Sequence, residues 1–291
     1  MRDGGPAFRG VSCAWRLHGD LYYASRLALS AEHLRTMLVR CQERWPDVRC
    51  TFGQIAFWSA HIGRDGEDAR VDEAAWGYRI GGELEYDGDR DAIDAILEWA
   101  RPERVLTTLD DADVLARHGL RHDPAAPSMK ENARNLDEID EPRVPRGYRL
   151  TTMADYVDTA SRSAAHRSAF APGSRFTDDV YAVVRATWPY RPDLDCVCVA
   201  PDGSVASYTL AWLDEPNEIG ELEPVGTHAE HRRRGLARAT NLFALRRLRD
   251  EGARMALVAC RVDDAYPAAC ALYASIGFRE RRRLVAFTAR G

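Results

Sequence analysis

The feature that most limits how this chain folds is a strand that runs through a basic turn into a long helix. It spans Glu221-Leu222-Glu223-Pro224-Val225-Gly226-Thr227-His228-Ala229-Glu230-His231-Arg232-Arg233-Arg234-Gly235-Leu236-Ala237-Arg238. After the strand-like stretch to Thr227, a helix is expected from Gly235 to Asp250, with leucine, phenylalanine and alanine at helical spacing. The first turn of a helix carries unpaired backbone N–H groups and partial positive charge, so amides there cradle phosphate. Gly235 and Ala237 let a diphosphate approach the backbone. Arg232, Arg233, Arg234 and Arg238 add charge and bidentate contacts. As a bare pattern, Arg-x-x-Gly-x-Ala also fits a solvated basic helix cap.

Downstream, Arg254 to Cys260 reads as a buried strand. Ala265 to Ile276 reads as a helix, ended by Gly277 before a further strand. With Arg232, Gly235 and Ala237 in the turn and Leu272-Tyr273-Ala274-Ser275-Ile276-Gly277-Phe278 at the later helix, the chain resembles the GNAT superfamily of acetyl-CoA-dependent N-acetyltransferases. The family writes these motifs as Gln/Arg-x-x-Gly-x-Gly/Ala and Leu-Tyr-x-x-x-Gly-Phe, and the resemblance covers about 147–291. It implies that acetyl-CoA is the co-substrate and that Val225, Gly226 and Thr227 pair with the pantetheine arm like an added strand. Arg232 to Arg238, including Leu236, would hold the diphosphate. Tyr266 stands where the family often has an asparagine that contacts the coenzyme, followed by Pro267 as a helix-start residue.

Composition removes other classes. A formal net charge of −5 argues against a nucleic-acid partner. Lys130 is the only lysine and falls in a polar connector, which disfavours a Walker loop or a pyridoxal enzyme. His228 and His231 lack the companions of a metal site, so no metal is expected. The seven cysteines have no framework spacing and read as reduced thiols. No apolar run is long enough for a membrane span and no signal-peptide core is present, so a cytoplasmic protein with no membrane contact is expected. The run Arg279-Glu280-Arg281-Arg282-Arg283 reads as an exposed edge or strand end.

The expected fold class is α/β, two tandem GNAT-like domains each with a central mixed sheet flanked by helices. Residues 124–146, rich in proline and charge, read as a linker with at most a short helix. Residues 1–123 echo 147–291 in weaker form. Gly82-Glu83-Leu84-Glu85 repeats Gly220-Glu221-Leu222-Glu223, and each is followed by a helix, Asp91 to Ala100 in the first case. The first copy turns through Asp87-Gly88-Asp89-Arg90-Asp91, three carboxylates where a phosphate would sit, so only 147–291 is expected to bind coenzyme. Among two-domain members with one live copy, the architecture is similar to that of the mycothiol synthases.

Acetyl transfer to an amine needs a base, an oxyanion donor and a proton for the leaving thiolate. Glu221 and Glu223 point to the same face of the strand and are both base candidates. The resemblance places the family's base at Glu221, its acid at Tyr273 and its oxyanion donor at the Val225 N–H. The activity expected is direct attack of a small-molecule primary amine on acetyl-CoA in a ternary complex, by a monomer or homodimer. The alternative is a non-catalytic acetyl-CoA sensor. Segments 166–176 and 188–191 are expected to wall the acceptor pocket.

Overall fold

Successive side chains of a strand point to opposite faces, so the elements packed on each face of the sheet decide which of them are buried. The structure is a computed structural model that describes residues 29–61, 68–80, 82–174, 176–262 and 267–289. The first half comprises helices α1 (Ala31–Arg44) and α2 (Phe52–Trp58) and strands β1 (Ala69–Val71), β2 (Ala75–Ile80) and β3 (Glu83–Gly88). Helix α3 (Ile93–Ala100), β4 (Arg104–Thr107), α4 (Ala112–Arg117), β5 (Leu120–His122) and β6 (Ser128–Asn135) follow. The second half begins with β7 (Arg149–Thr152), α5 (Thr159–Ala169), α6 (Asp178–Ala186), β8 (Asp195–Val199), β9 (Val205–Asp214) and β10 (Ile219–Thr227). It ends with α7 (Leu236–Asp250), β11 (Met255–Val262), α8 (Pro267–Ser275) and β12 (Arg279–Ala289).

The strands join one mixed sheet in the order β1-β2-β3-β4-β12-β6-β11-β10-β9-β8-β7, with β5 also on β12. The halves repeat one construction. An antiparallel pair (β2–β3, β9–β10) leads through a crossover helix (α3, α7) to a parallel partner (β4, β11). The two Gly-Glu-Leu-Glu stretches fall at the start of β3 and in β10.

The reading of 124–146 as a linker is corrected. Residues 128–135 form β6, which pairs with β11 along its whole length and with β12 on its other side. Its polar sequence hides this because its charges are paired. Glu131 is buried against Arg281 and Arg282, and Lys130 meets Glu280 at 3.4 Å.

Strand β12 begins, as expected, at an exposed strand end, with Arg279 and Glu280 exposed and Arg279–Leu284 paired on one side only, but the rest of it is interior. Arg279–Leu284 pair with β6, Val285–Thr288 with β4, and Phe287–Ala289 with β5, so this last strand stitches the halves together. Arg281 and Arg282 also donate to the backbone carbonyls of Pro46, Val48 and Arg49, which anchors the loop between α1 and α2.

Every residue of β9 is buried, because both of its faces are covered. Tyr208, Leu210 and Trp212 face a core shared with α1, α2, Trp76 and Tyr78 of the first half. Ala211 and Leu213 face the other way, onto Leu242, Leu245 and Leu248 of α7. The first half has its own core under α3 and α4, closed by Phe287 from β12. Among the described residues no helix is long and apolar enough to cross a membrane.

Candidate active site

The parallel pairing of β10 with β11 runs only from Ile219/Met255 to Glu221/Leu257. The register of β10 against β9 slips between Leu222 and Val225, so Glu223 and Pro224 form a bulge, and Trp212 Nε1 donates to the Glu223 carbonyl at 2.6 Å. Beyond the bulge Val225, Gly226 and Thr227 remain paired with Thr209, Tyr208 and Ser207, while their other edge has parted from β11. That edge is suited to an added extended chain. Gly226 has a steric reason to be glycine, since a Cβ there would come 2.6 Å from the Tyr208 hydroxyl.

Strand β10 leads into the N-terminus of α7, where Gly235 is the N-cap with φ +76° and Arg233 has φ +63°. No side chain caps this helix and no acid lies in its first turn, so its leading amides and dipole remain available to an anion. Arg232 donates to Ala169 O at 2.8 Å, Arg234 to Tyr148 Oη at 3.0 Å, and Arg238 pairs with Asp140 at 2.6 Å. Arg233 is exposed and makes no hydrogen bond or ion pair with another described residue. Leu236 is buried and roots the turn against Cys198, Ala200 and Ala206, while Ala237 is half-buried. Tyr266 lies outside the described residues.

The two carboxylate candidates differ sharply. Glu221 is buried, with Oε1 accepting from Thr51 Oγ1 at 2.5 Å and Oε2 from Gly53 N at 2.6 Å. Burial pushes its carboxyl up to about 7, against those two hydrogen bonds. Glu223 is half-buried, and no described residue hydrogen-bonds its carboxylate. Burial, and then the charge of Glu221, push it up to about 8. Tyr273 sits on α8 in the core beneath α7 and β11, edge-on to Phe278 at 6.0 Å. His228 turns back to its own backbone, accepting from Glu230 N at 3.4 Å, and His231 Nδ1 meets Tyr148 Oη at 3.0 Å.

The segments expected to wall an acceptor pocket meet the first half. His166 of α5 stacks on Phe176 at 4.0 Å, both adjoin Phe57 of α2, and Phe176 also adjoins His61. Trp188 is edge-on to Phe52 at 6.1 Å and carries Arg35 over its ring. Below β10, Tyr208 Oη meets His166 Nδ1 at 2.8 Å, and Arg162 covers the Tyr208 ring while pairing with buried Asp195.

Sequence reasoning missed Thr51 and Gly53. The signature Thr51-Phe52-Gly53-Gln54 marks a helix start, and the Gln54 side chain does accept from Thr51 N at 3.4 Å. Nothing local says that the Thr51 hydroxyl turns to a carboxylate in the other half.

The matching place in the first half is shut. Strands β3 and β4 pair only at Glu83/Arg104 and Leu84/Val105, and Arg49 bridges their diverging ends. It meets both Asp111 oxygens at 2.8 Å, Gly88 O at 3.1 Å and Asp87 at 3.3 Å. The expectation of three carboxylates at the turn is therefore corrected. Asp87 is buried in this cluster, held by Arg49 and Arg44, and only Asp89 and Asp91 are exposed. Among the described residues no group of three or more His, Cys, Asp or Glu could hold a metal ion.

Residues 163–278 match the sequence model of the acetyltransferase (GNAT) family. A mycothiol acetyltransferase from Nocardiopsis dassonvillei is 32% identical over 213 residues, covering 65% of this chain. The match takes in 64% of that protein, so the chain spans less than two thirds of its relative's length. A GCN5-related N-acetyltransferase from Sphaerobacter thermophilus is similar in structure, with a TM-score of 0.59 at 19% identity over 91% of this chain and 95% of that one. A tandem GNAT protein from the clavulanic acid biosynthesis pathway gives a TM-score of 0.57 at 18% identity, over 91% of this chain and 98% of that one. At such identities the two structures speak for the fold, and their coverage takes in both halves.

Proposed function

We propose that this chain, whose residues 163–278 match the acetyltransferase (GNAT) family model, transfers the acetyl group of acetyl-CoA to a primary amine of a small molecule, with both substrates bound at once. The observation that carries the reading is the free carboxylate of Glu223. It stands at the bulge of a strand that runs straight into an uncapped, arginine-lined helix N-terminus.

In this reading the α7 amides at Gly235 and beyond, with Arg232, Arg233, Arg234 and Arg238, hold the diphosphate. The parted edge of Val225, Gly226 and Thr227 takes the pantetheine arm. Glu223 receives the ammonium proton, because both oxygens of Glu221 are already committed to Thr51 and Gly53. A base near 8 is far better matched to an alkylammonium of roughly 10.4 than an ordinary carboxylate is. The freed amine attacks the thioester carbonyl, the Val225 N–H takes the oxyanion, and Tyr273 returns a proton to the departing sulfur. The first half binds no coenzyme and walls the acceptor pocket through α2.

The test is calorimetric titration with acetyl-CoA, coenzyme A and desulfo-coenzyme A, on wild type and Gly235→Glu. One-to-one binding lost in the variant supports the reading, and absence of binding by wild type overturns it. The relative named for mycothiol makes mycothiol-related amines the first acceptors to offer.

A further inference from the structure

The half of the protein proposed to bind no coenzyme reaches into the proposed active site most directly at α2. There the Thr51 hydroxyl and the Gly53 amide close on the two oxygens of Glu221, at 2.5 and 2.6 Å. Gly53 permits the approach, since a Cβ would lie 2.8 Å from the Glu221 carboxyl carbon and 2.7 Å from Trp212 Cδ1. The loop that carries Thr51 is itself fixed by Arg281 and Arg282 of β12.

We propose that Thr51 is a positioning residue for acetyl transfer. By holding Glu221 as a carboxylate it maintains a negative charge beside Glu223 and so keeps that base strong. The proposal rests on the reading above only in calling Glu223 the base.

The groups that face Glu221 come from six directions. They are Cys41 of α1, Thr51 with the Gly53 and Gln54 amides at α2, Tyr78 of β2, Glu131 of β6, Trp212 of β9, and Glu223 on β10 itself. Glu223 is faced by Glu221, by Tyr78 and by Tyr208 of β9. The nearest cations, Arg281 and Arg282, are engaged by Glu131. Burial works against the negative charge on Glu221, and the hydrogen bonds from Thr51, Gly53 and Gln54 of the first half are the main groups that favour it. Two carboxyls so placed titrate as a coupled pair, and whichever is better solvated or hydrogen-bonded loses its proton first. Thr51 decides the order. With its hydroxyl present Glu221 ionises first, and Glu223 must then ionise next to a like charge. Without it Glu221 holds its proton longer, and Glu223 ionises beside a neutral neighbour as a weaker base.

The experiment is a pH titration by NMR of protein labelled with carbon-13 at the glutamate side-chain carboxyls. The two signals are assigned by their loss in Glu221→Gln and Glu223→Gln. Thr51→Val is expected to move the Glu221 midpoint up and the Glu223 midpoint down by roughly one pH unit, the lower end of what a neighbouring charge does. Thr51→Ser is expected to restore both, and Thr51→Ala to repeat the valine result. In the Glu221→Gln background Thr51→Val should leave Glu223 unmoved, because the residue acts through Glu221.

A Glu223 midpoint unchanged in both Thr51→Val and Thr51→Ala overturns the proposal. So does a shift that persists when Glu221 is already glutamine. Acetyl-CoA calorimetry on the same proteins separates the two claims. Wild type that binds no acetyl-CoA removes the acetyl-transfer reading, while the titrations still judge the coupling.

Discussion

Replacing Gly53 by alanine tests how tightly the halves are docked at the site. The new methyl would stand 2.7 Å from Trp212 Cδ1 and 2.8 Å from the Glu221 carboxyl carbon. Neither neighbour yields freely. Trp212 is buried with its Nε1 bonded to the Glu223 carbonyl, and the Glu221 carboxylate is held by Thr51. Overpacking of this kind costs about 1–3 kcal/mol. Weakening the amide's bond to a charged group adds about 1.5–3 kcal/mol. Alanine in the first turn of α2 returns about 0.5–1 kcal/mol of helix propensity. The net loss is about 2–5 kcal/mol, which for a domain of this size lowers Tm by roughly 5–15 °C. Guanidinium denaturation and a thermal melt followed by tryptophan fluorescence measure both quantities. Because Trp212 also holds the bulge, acetyl-CoA affinity should weaken in the same variant. Stability within about 0.5 kcal/mol of wild type would refute the reasoning, since it would mean that Glu221 and Trp212 move aside at no cost.

Other consequences can be checked directly. With Glu223 as the proposed base and burial pushing its carboxyl up to about 8, kcat/KM in wild type should climb as pH rises through that value. Glu223→Gln should lose about 10²- to 10⁴-fold and flatten the profile between pH 6 and 9. The same raised carboxyls bind more protons in the folded protein than in the unfolded chain. Their contribution to stability is therefore full below the unfolded value near 4.5 and lost as pH rises through about 7 to 8. Denaturation midpoints measured across pH 5 to 9 should fall less steeply in Glu223→Gln. Arg233→Ala should weaken acetyl-CoA binding by roughly tenfold and reduce its salt dependence while leaving Tm unchanged, as calorimetry at two salt concentrations would show. Asp195→Asn leaves the buried Arg162 guanidinium without its counter-charge and should cost about 3–5 kcal/mol in chemical denaturation.

The strand, turn and helix from Glu221 to Asp250 were legible in the sequence because their determinants are local. They are helical periodicity in α7, a glycine where φ is +76°, and arginines next to it. The repeated Gly-Glu-Leu-Glu was legible for the same reason, and both copies mark strands of the same pairing sense. Strand β6 was not. Its residues are polar and charged, and they are extended only because β11 and β12 supply hydrogen bonds on both sides and Arg281 and Arg282 neutralise Glu131. The basic run at 279–283 was legible as a strand end, but the turning of Arg281 and Arg282 onto Glu131 and the carbonyls of Pro46, Val48 and Arg49 was not.

The choice between Glu221 and Glu223 shows where local information ends. Alternation puts both on one face of β10, and although Pro224 follows Glu223, nothing within a few residues of either says which carboxylate is hydrogen-bonded. Their different states come from Thr51 and Gly53, 170 and 168 positions away from Glu221, which satisfy one carboxylate and leave the other open. The glycine-and-arginine turn before α7, the repeat and the candidate side chains can be read from the sequence, because dihedral preference, periodicity and charge act over a few residues. Only the tertiary structure decided which carboxylate is free, which half is shut by Arg49 and where the last strand lies. Burial, hydrogen-bond satisfaction and charge pairing depend on groups that meet only once the chain has folded.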